Sequence, residues 1–185
     1  MRSLASYVLA VLWFLWVLAF AVRRARANGT RKAKTSRVSI LGVILQSAAY
    51  PLVWMIRHPW TFAQEPWRIL LSVPLGILSL ALIWSALPAL GKQWSLQAGV
   101  YADHVLIQSG PYRYVRHPIY SSMLALLLAT GLLLAPVTAC ATALLIFVAG
   151  TEIRIHTEER LLAERFRGEF TAYKARVPAY IPFLR

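Results

Sequence analysis

The sequence predicts an all-α integral membrane protein of about five transmembrane helices, and three observations predict it. Hydrophobic residues make up 58% of the 185-residue chain and its mean hydropathy is +0.56, which leaves too few polar side chains to coat a soluble globule. Apolar runs of bilayer-crossing length recur along the chain, separated by polar or basic stretches. The formal charge of +13 lies between those runs and not along one face. That distribution marks topology, with attraction to anionic membrane lipid as a by-product, and it excludes the nucleic-acid partner that so basic a soluble domain would suggest. The lone Cys140 rules out a disulfide framework and a Cys-based metal site.

Residues 4–22 form the first span, rich in Leu, Val, Trp and Phe. The run is too long for a signal-peptide core and lacks a convincing cleavage site after it. Arg23, Arg24, Arg26, Arg31, Lys32, Lys34 and Arg37 follow, around an Asn28-Gly29 loop signal. Residues 38–56 are the second span, which Pro51 is placed to kink. Arg57-His58-Pro59 lies beyond it, on the opposite side of the membrane from a similar motif further on. Residues 69–90 are the third span, and residues 91–118 a loop long enough to be functional. Residues 119–134 and 137–150 form a short helical hairpin turning at Ala135-Pro136. Ala125 with Ala129, and Ala139 with Ala143, permit close helix contact there. After Gly150 the character becomes charged, so the last helix is expected to run out of the bilayer as a tail. Ile153, Leu161, Leu162 and Phe166 form its apolar stripe, and Pro178 and Pro182 end regular structure.

This span count makes a charge asymmetry. Residues 23–37, 91–118 and 151–185 hold seven, three and seven of the 20 Lys and Arg, leaving Arg2, Arg57 and Arg68 on the other side. The basic side is expected to be cytoplasmic. The residue bias suits a bacterial cytoplasmic membrane. The chain divides into three N-terminal membrane helices with their basic loop (1–90) and a second half (91–185) of loop, hairpin and tail.

The densest chemistry lies at residues 110–120, Gly-Pro-Tyr-Arg-Tyr-Val-Arg-His-Pro-Ile-Tyr. Its prolines delay helix formation until Pro118, which suits a first helical turn. Arg116 and His117 then stand at a helix start, where a polar or anionic ligand is readily held. Membrane-edge anchoring accounts for Tyr and Arg in general, but not for this many of them between two prolines. Arg154 and Glu158, four apart, share a helix face just beyond the last span. An ordinary surface pair of that kind contributes about 0.3–0.5 kcal/mol. Opposite Gln97, His104 and His117, the same pair has the charges to hold a zwitterionic cofactor and an anionic acceptor. S-adenosylmethionine suits, since its cationic groups are attracted to a carboxylate and to aromatic faces such as Tyr112 and Tyr120. Methyl transfer needs in-line alignment away from water more than acid-base assistance.

Residues 90–185 resemble the catalytic half of the isoprenylcysteine carboxyl methyltransferase family, integral-membrane enzymes that use S-adenosylmethionine. Trp94-Ser95, His104 with Leu106, Gly110-Pro111-Tyr112, Arg116-His117-Pro118 with Tyr120, Arg154 with Glu158-Glu159, and Tyr173 with Val177-Pro178 carry the resemblance. It implies cofactor contacts from Gln97, His104, Val105, Leu106, Ile107, Tyr112, His117, Pro118, Ile119, Tyr120 and Glu158, with S-adenosylhomocysteine as product. It implies that Arg154 binds or orients the acceptor, in the parent activity the carboxylate of a prenylated cysteine. Three positions depart from the family pattern. Ser122 stands for the Gly of Arg-His-Pro-x-Tyr-x-Gly, which would widen the helix entrance; Arg167 stands for a tail Gly and Phe170 for a Tyr. No metal is expected, because His104, His117 and His156 lack ligand spacing.

Other readings remain. A phospholipid amine or a small lipophilic thiol is the alternative acceptor to a lipidated carboxylate, and with either of them His117 or His104 becomes a candidate base. A sterol-type reductase using NADPH shares an Arg-His-Pro-x-Tyr element, and a non-catalytic scaffold would bind neither ligand.

Overall fold

The computed structural model describes residues 4–25, 34–35, 38–58, 65–91, 99–100 and 105–181. Among them five helices carry an all-α membrane fold: α1 (Leu4–Ala25), α2 (Val38–Met55), α3 (Pro66–Leu90), α4 (Pro118–Leu134) and α5 (Val137–Arg176). Four are long and apolar enough to cross a membrane, and α4 is a shorter apolar helix of 17 residues. Proline sets two of the starts. Pro66 opens α3 after an extended Glu65, three residues ahead of the expected span, and Pro118 opens α4 after His117. Two-residue strands β1 (Lys34–Thr35) and β2 (Gly99–Val100) pair antiparallel, Lys34 opposite Val100. The basic loop and the long loop are thereby joined at one end of the bundle. The Arg57-His58 segment is at the other, where the His58 amide donates to the Leu134 carbonyl at the end of α4.

Apolar side chains gain little by leaving lipid, so close packing and polar contacts must hold such a bundle. α2 packs on α5 through two glycines. A Cβ on Gly42 would lie 2.7 Å from the Gly150 carbonyl oxygen, and one on Gly150 2.7 Å from that of Gly42. α3 packs on α4 through hydroxyls that donate to main-chain carbonyls, Ser72 to Ala129 at 2.7 Å and Ser79 to Ser122 at 2.8 Å. α1 joins them with two indoles, Trp13 donating to Thr130 and Trp16 to Ser122. Ser122, at the entrance to α4, is closely packed. Its fully buried hydroxyl donates to the Ser79 carbonyl and accepts from Trp16, so neighbouring helices satisfy the group that departs from the family pattern.

The hairpin closes as expected, with the Ala135 amide donating to Gly131 and that of Cys140 to Pro136. Ala125, Ala129, Ala139 and Ala143 are all buried. Arg68 caps the end of α4 by donating to the carbonyls of Leu132 and Ala135.

α5 runs 40 residues; the 30 before Arg167 rise about 45 Å, which carries its charged half beyond the apolar stretch that ends at Gly150. Its stripe is led by Leu161, buried, with Ile153, Leu162 and Phe166 half-buried. The helix breaks at Arg167, whose φ of 44° and ψ of −117° lie where a Cβ is strained. The family's glycine at this place therefore has a physical reason. Arg167→Gly is expected to stabilise the protein by roughly 1–2 kcal/mol, a rise in Tm of about 2–4 °C per kcal/mol in detergent melts. Arg167→Ala, which keeps the Cβ, should show no such gain.

Candidate active site

The site forms where the start of α4 meets α5. A 3-10 turn (Gly110–Arg113) and the following residues deliver Arg116 and His117 to the entrance of α4. Glu158 and Glu159 come from α5, and residues 177–180, beyond its end, close the arrangement from outside. The amides of Arg116 and His117 donate to the carbonyls of Pro178 and Ala179 at 2.9 and 2.8 Å. Ser121 donates to the Tyr180 carbonyl at 2.5 Å, and Tyr180 in turn to Glu152 at 3.0 Å. Tyr173 donates to the Tyr112 carbonyl, which fastens the turn to α5.

The two adjacent carboxylates face different groups. Glu159 accepts from Arg116 at 2.6 and 2.9 Å and from Lys174 at 2.6 Å, and lies 3.4 Å from His117 Nε2. Arg116 also donates to the carbonyls of Lys174 and Val177. It is thus committed to the tail, where the sequence suggested a ligand contact. Glu158 accepts from the Tyr120 hydroxyl, and lies 3.5 Å from both His117 Nδ1 and Arg154 Nη2. The Arg154 guanidinium sits 4.9 Å over the Tyr120 ring, whose other neighbour is the His117 ring, stacked at 5.5 Å and 15°.

Burial and charge act in opposite directions here. Desolvation alone would lower the His117 pKa, but Glu158 and Glu159 outweigh it and hold the value above the usual histidine range. Burial would raise both carboxylates; His117, with Arg154 and Tyr120 for Glu158 and with Lys174 and Arg116 for Glu159, holds each below the usual range. Both carboxylates are therefore ionised at neutral pH, and they bias His117 towards its protonated form. Burial also raises the phenol of Tyr112, and pushes that of Tyr173 up to about 12, so both remain donors.

The structure brings together Tyr112, His117, Tyr120, Arg154 and Glu158 of the residues singled out in the sequence. Pro118 is buried as the first residue of α4. Ile119 packs against Ala19, Ile83 and Leu87, so it offers the site only its backbone. Val105, 58% exposed, and the half-buried Leu106 and Ile107 lie on an extended segment that Gln108 ties to Glu169 and Arg176 of α5. Gln97 and His104 lie outside the described residues. Sequence reasoning passed over Gln46 of α2, whose side-chain oxygen accepts from Arg154 at 3.1 Å. The available signal was an amide inside an otherwise apolar span.

Residues 72–164 match the isoprenylcysteine carboxyl methyltransferase (ICMT) family. The chain is 33% identical over 109 residues to the cobalt-zinc-cadmium resistance protein CzcN of Cupriavidus metallidurans, covering 58% of this chain and 50% of that protein. It is 26% identical over 189 residues to protein-S-isoprenylcysteine O-methyltransferase B of Arabidopsis thaliana, covering 99% of this chain and 94% of that one. It is 34% identical over 83 residues to the protein-S-isoprenylcysteine O-methyltransferase of Saccharomyces cerevisiae, covering 45% and 35%. The alignments thus span half the length of the first relative and about a third of the yeast one.

The opposed shifts set a pH window. The stabilisation from His117 is complete below its unfolded pKa of about 6.5 and is lost as pH rises through the higher folded value. That from Glu158 and Glu159 is complete above about 4.3 and is lost as pH falls through their lowered values. The Tm in detergent is expected to be highest between about pH 4.5 and 6.5 and to fall on either side. His117→Gln should flatten the alkaline fall and also shrink the acid one, because His117 is the first of the groups that hold both carboxylates down.

Proposed function

The chain belongs to the isoprenylcysteine carboxyl methyltransferase family, and we propose that it moves a methyl group from S-adenosylmethionine to a lipophilic acceptor. A prenylcysteine-like carboxylate is the acceptor the site favours. One observation carries the proposal: Glu158, Arg154, Tyr120 and His117 converge on one point at the end of a membrane bundle. The donor set suits a zwitterionic cofactor. Glu158, its carboxyl held below the usual range and its side chain still 22% exposed, offers a carboxylate to an ammonium group. When bound, the cofactor supplies an electrophilic methyl on a sulfonium and leaves as S-adenosylhomocysteine.

The roles proposed for the chain's own residues are binding, orientation and exclusion of water. Tyr112, His117 and Tyr120 form the wall against which the cofactor is held, with backbone from 105–107 and 118–119. Gln97 and His104 complete the proposed set. Arg154 holds the acceptor's carboxylate, so that its oxygen, already ionised, needs no base. His117 fits that chemistry. Both its ring nitrogens face carboxylates, which raise its pKa and bias it towards the protonated form, the form that cannot accept a proton from an amine or thiol. Residues 91–185 are the proposed catalytic half and 1–90 its membrane frame. The loop ends and tail are proposed to face the cytoplasm of a bacterial cell, where a soluble methyl donor is available.

Glu158→Ala is expected to weaken S-adenosylhomocysteine binding about tenfold or more, the loss typical of one hydrogen bond to a charged group, as read by thermal shift in detergent. Arg154→Ala should leave that binding within about twofold and depress turnover of a carboxylate acceptor at least tenfold. Labelled-methyl transfer to lipophilic carboxylates, amines and thiols measures the acceptor class. A thermal shift with NADPH and none with S-adenosylhomocysteine would sink the proposal.

A further inference from the structure

α2 lies outside the segment that matches the family, and within it one buried amide faces the site. Gln46 is 1% exposed in a helix that is otherwise almost wholly apolar. An amide at that depth is destabilising unless its polar atoms find partners. Both do. Nε2 donates to Thr151 Oγ1 at 2.8 Å, and Oε1 accepts from Arg154 Nη1 at 3.1 Å. Because a guanidinium only donates, the oxygen must face Arg154, and this settles the orientation of the amide.

Gly42, one turn earlier on α2, receives the stem of the same arginine. A Cβ there would fall 2.5 Å from Arg154 Cγ. Helical side chains lean towards their own N-terminus, so Arg154 reaches back into the bundle along α2. Gln46 lies about 12 Å along α2 from its start, eight residues at the helical rise. The guanidinium is therefore held below the bundle's end by a groove at Gly42, an oxygen at Gln46, the Tyr120 face and Glu158. Three of these four contacts restrict its position without opposing its charge. Glu158, the fourth, is shared with Tyr120 and His117.

We infer that Gln46 is a positioning and specificity residue. It orients Arg154 with a neutral oxygen, and so leaves the positive charge available to an anionic acceptor lying within the bilayer. A glutamate at the same place would keep the geometry and neutralise the charge, favouring neutral acceptors. This inference rests on the reading of Arg154 as the acceptor's partner.

The test compares Gln46→Leu, Gln46→Glu and Gln46→Asn with Arg154→Ala in the full detergent-purified chain. An S-farnesylated cysteine derivative with a free carboxylate is the acceptor, and its methyl ester is the neutral competitor. KM and kcat come from labelled-methyl transfer, ester affinity from inhibition, and cofactor affinity from thermal shift with S-adenosylhomocysteine. Gln46→Leu is expected to raise KM for the carboxylate about tenfold while cofactor affinity stays within about twofold. Gln46→Glu should raise KM at least as much without weakening inhibition by the ester, and Gln46→Asn should restore part of the loss. If Arg154→Ala depresses turnover but KM is unchanged in both Gln46→Leu and Gln46→Glu, the inference falls and the reading of Arg154 stands. Equal loss of cofactor affinity, ester affinity and turnover in all three variants overturns it as well, since Gln46 is then only structural. If Arg154→Ala leaves turnover intact, or the unaltered protein does not use the carboxylate, the reading of the site falls and this inference with it.

Discussion

Neighbouring carboxylates on one helix hold the functional end of this protein together. Glu158 and Glu159 differ in direction by about 100° around α5, so two adjacent residues address two different sets of partners. Glu159 collects Arg116, Lys174 and one edge of His117, and through them the turn, the end of α5 and the segment beyond it. Glu158 collects Tyr120, Arg154 and the other edge of His117. His117 bridges the two sets. A change at any of these residues alters the charge balance seen by the others, so their effects should not add.

Beneath that end, the bundle solves a separate problem. Lipid offers no hydrogen bonds, so every hydroxyl, indole and amide inside must find a protein partner. Ser72, Ser79, Ser122, Trp13 and Trp16 do so between α1, α3 and α4. Gln46 and Thr151 do so between α2 and α5. The first group holds the frame in register, while the second reaches the site itself through Arg154. A helix outside the segment matched to the family is thus continuous with the candidate site.

Much of this was legible in the sequence. Hydropathy located the spans, Ala135-Pro136 the hairpin, and Pro118 the start of α4, because each depends on local composition or a single restricted dihedral. The meeting of Tyr120 with Glu158 was implied by the resemblance to the family, while the i, i+4 spacing placed only Arg154 beside Glu158. Contacts that depend on the angle between helices were not legible. Gln46 and Arg154 are 108 residues apart, and no period in either helix connects them. Arg116 looked available because its carboxylate partner, Glu159, is 43 residues away, and its other partners, the carbonyls of Lys174 and Val177, are backbone atoms that leave no mark in residue identity. Arg167 was visible as a departure from a pattern, but only its dihedrals give the departure a physical meaning.

The backbone bonds from Arg116 and His117 to Pro178 and Ala179 also order events in time. Synthesis proceeds from the N-terminus, so every helix leaves the ribosome before the segment that closes the entrance of α4. A nascent chain can be threaded into the bilayer with its hydrophobic segments already side by side while the entrance of α4 is still open. Closure of that entrance rests on the docking of residues 177–180, the last of the described segments to be made.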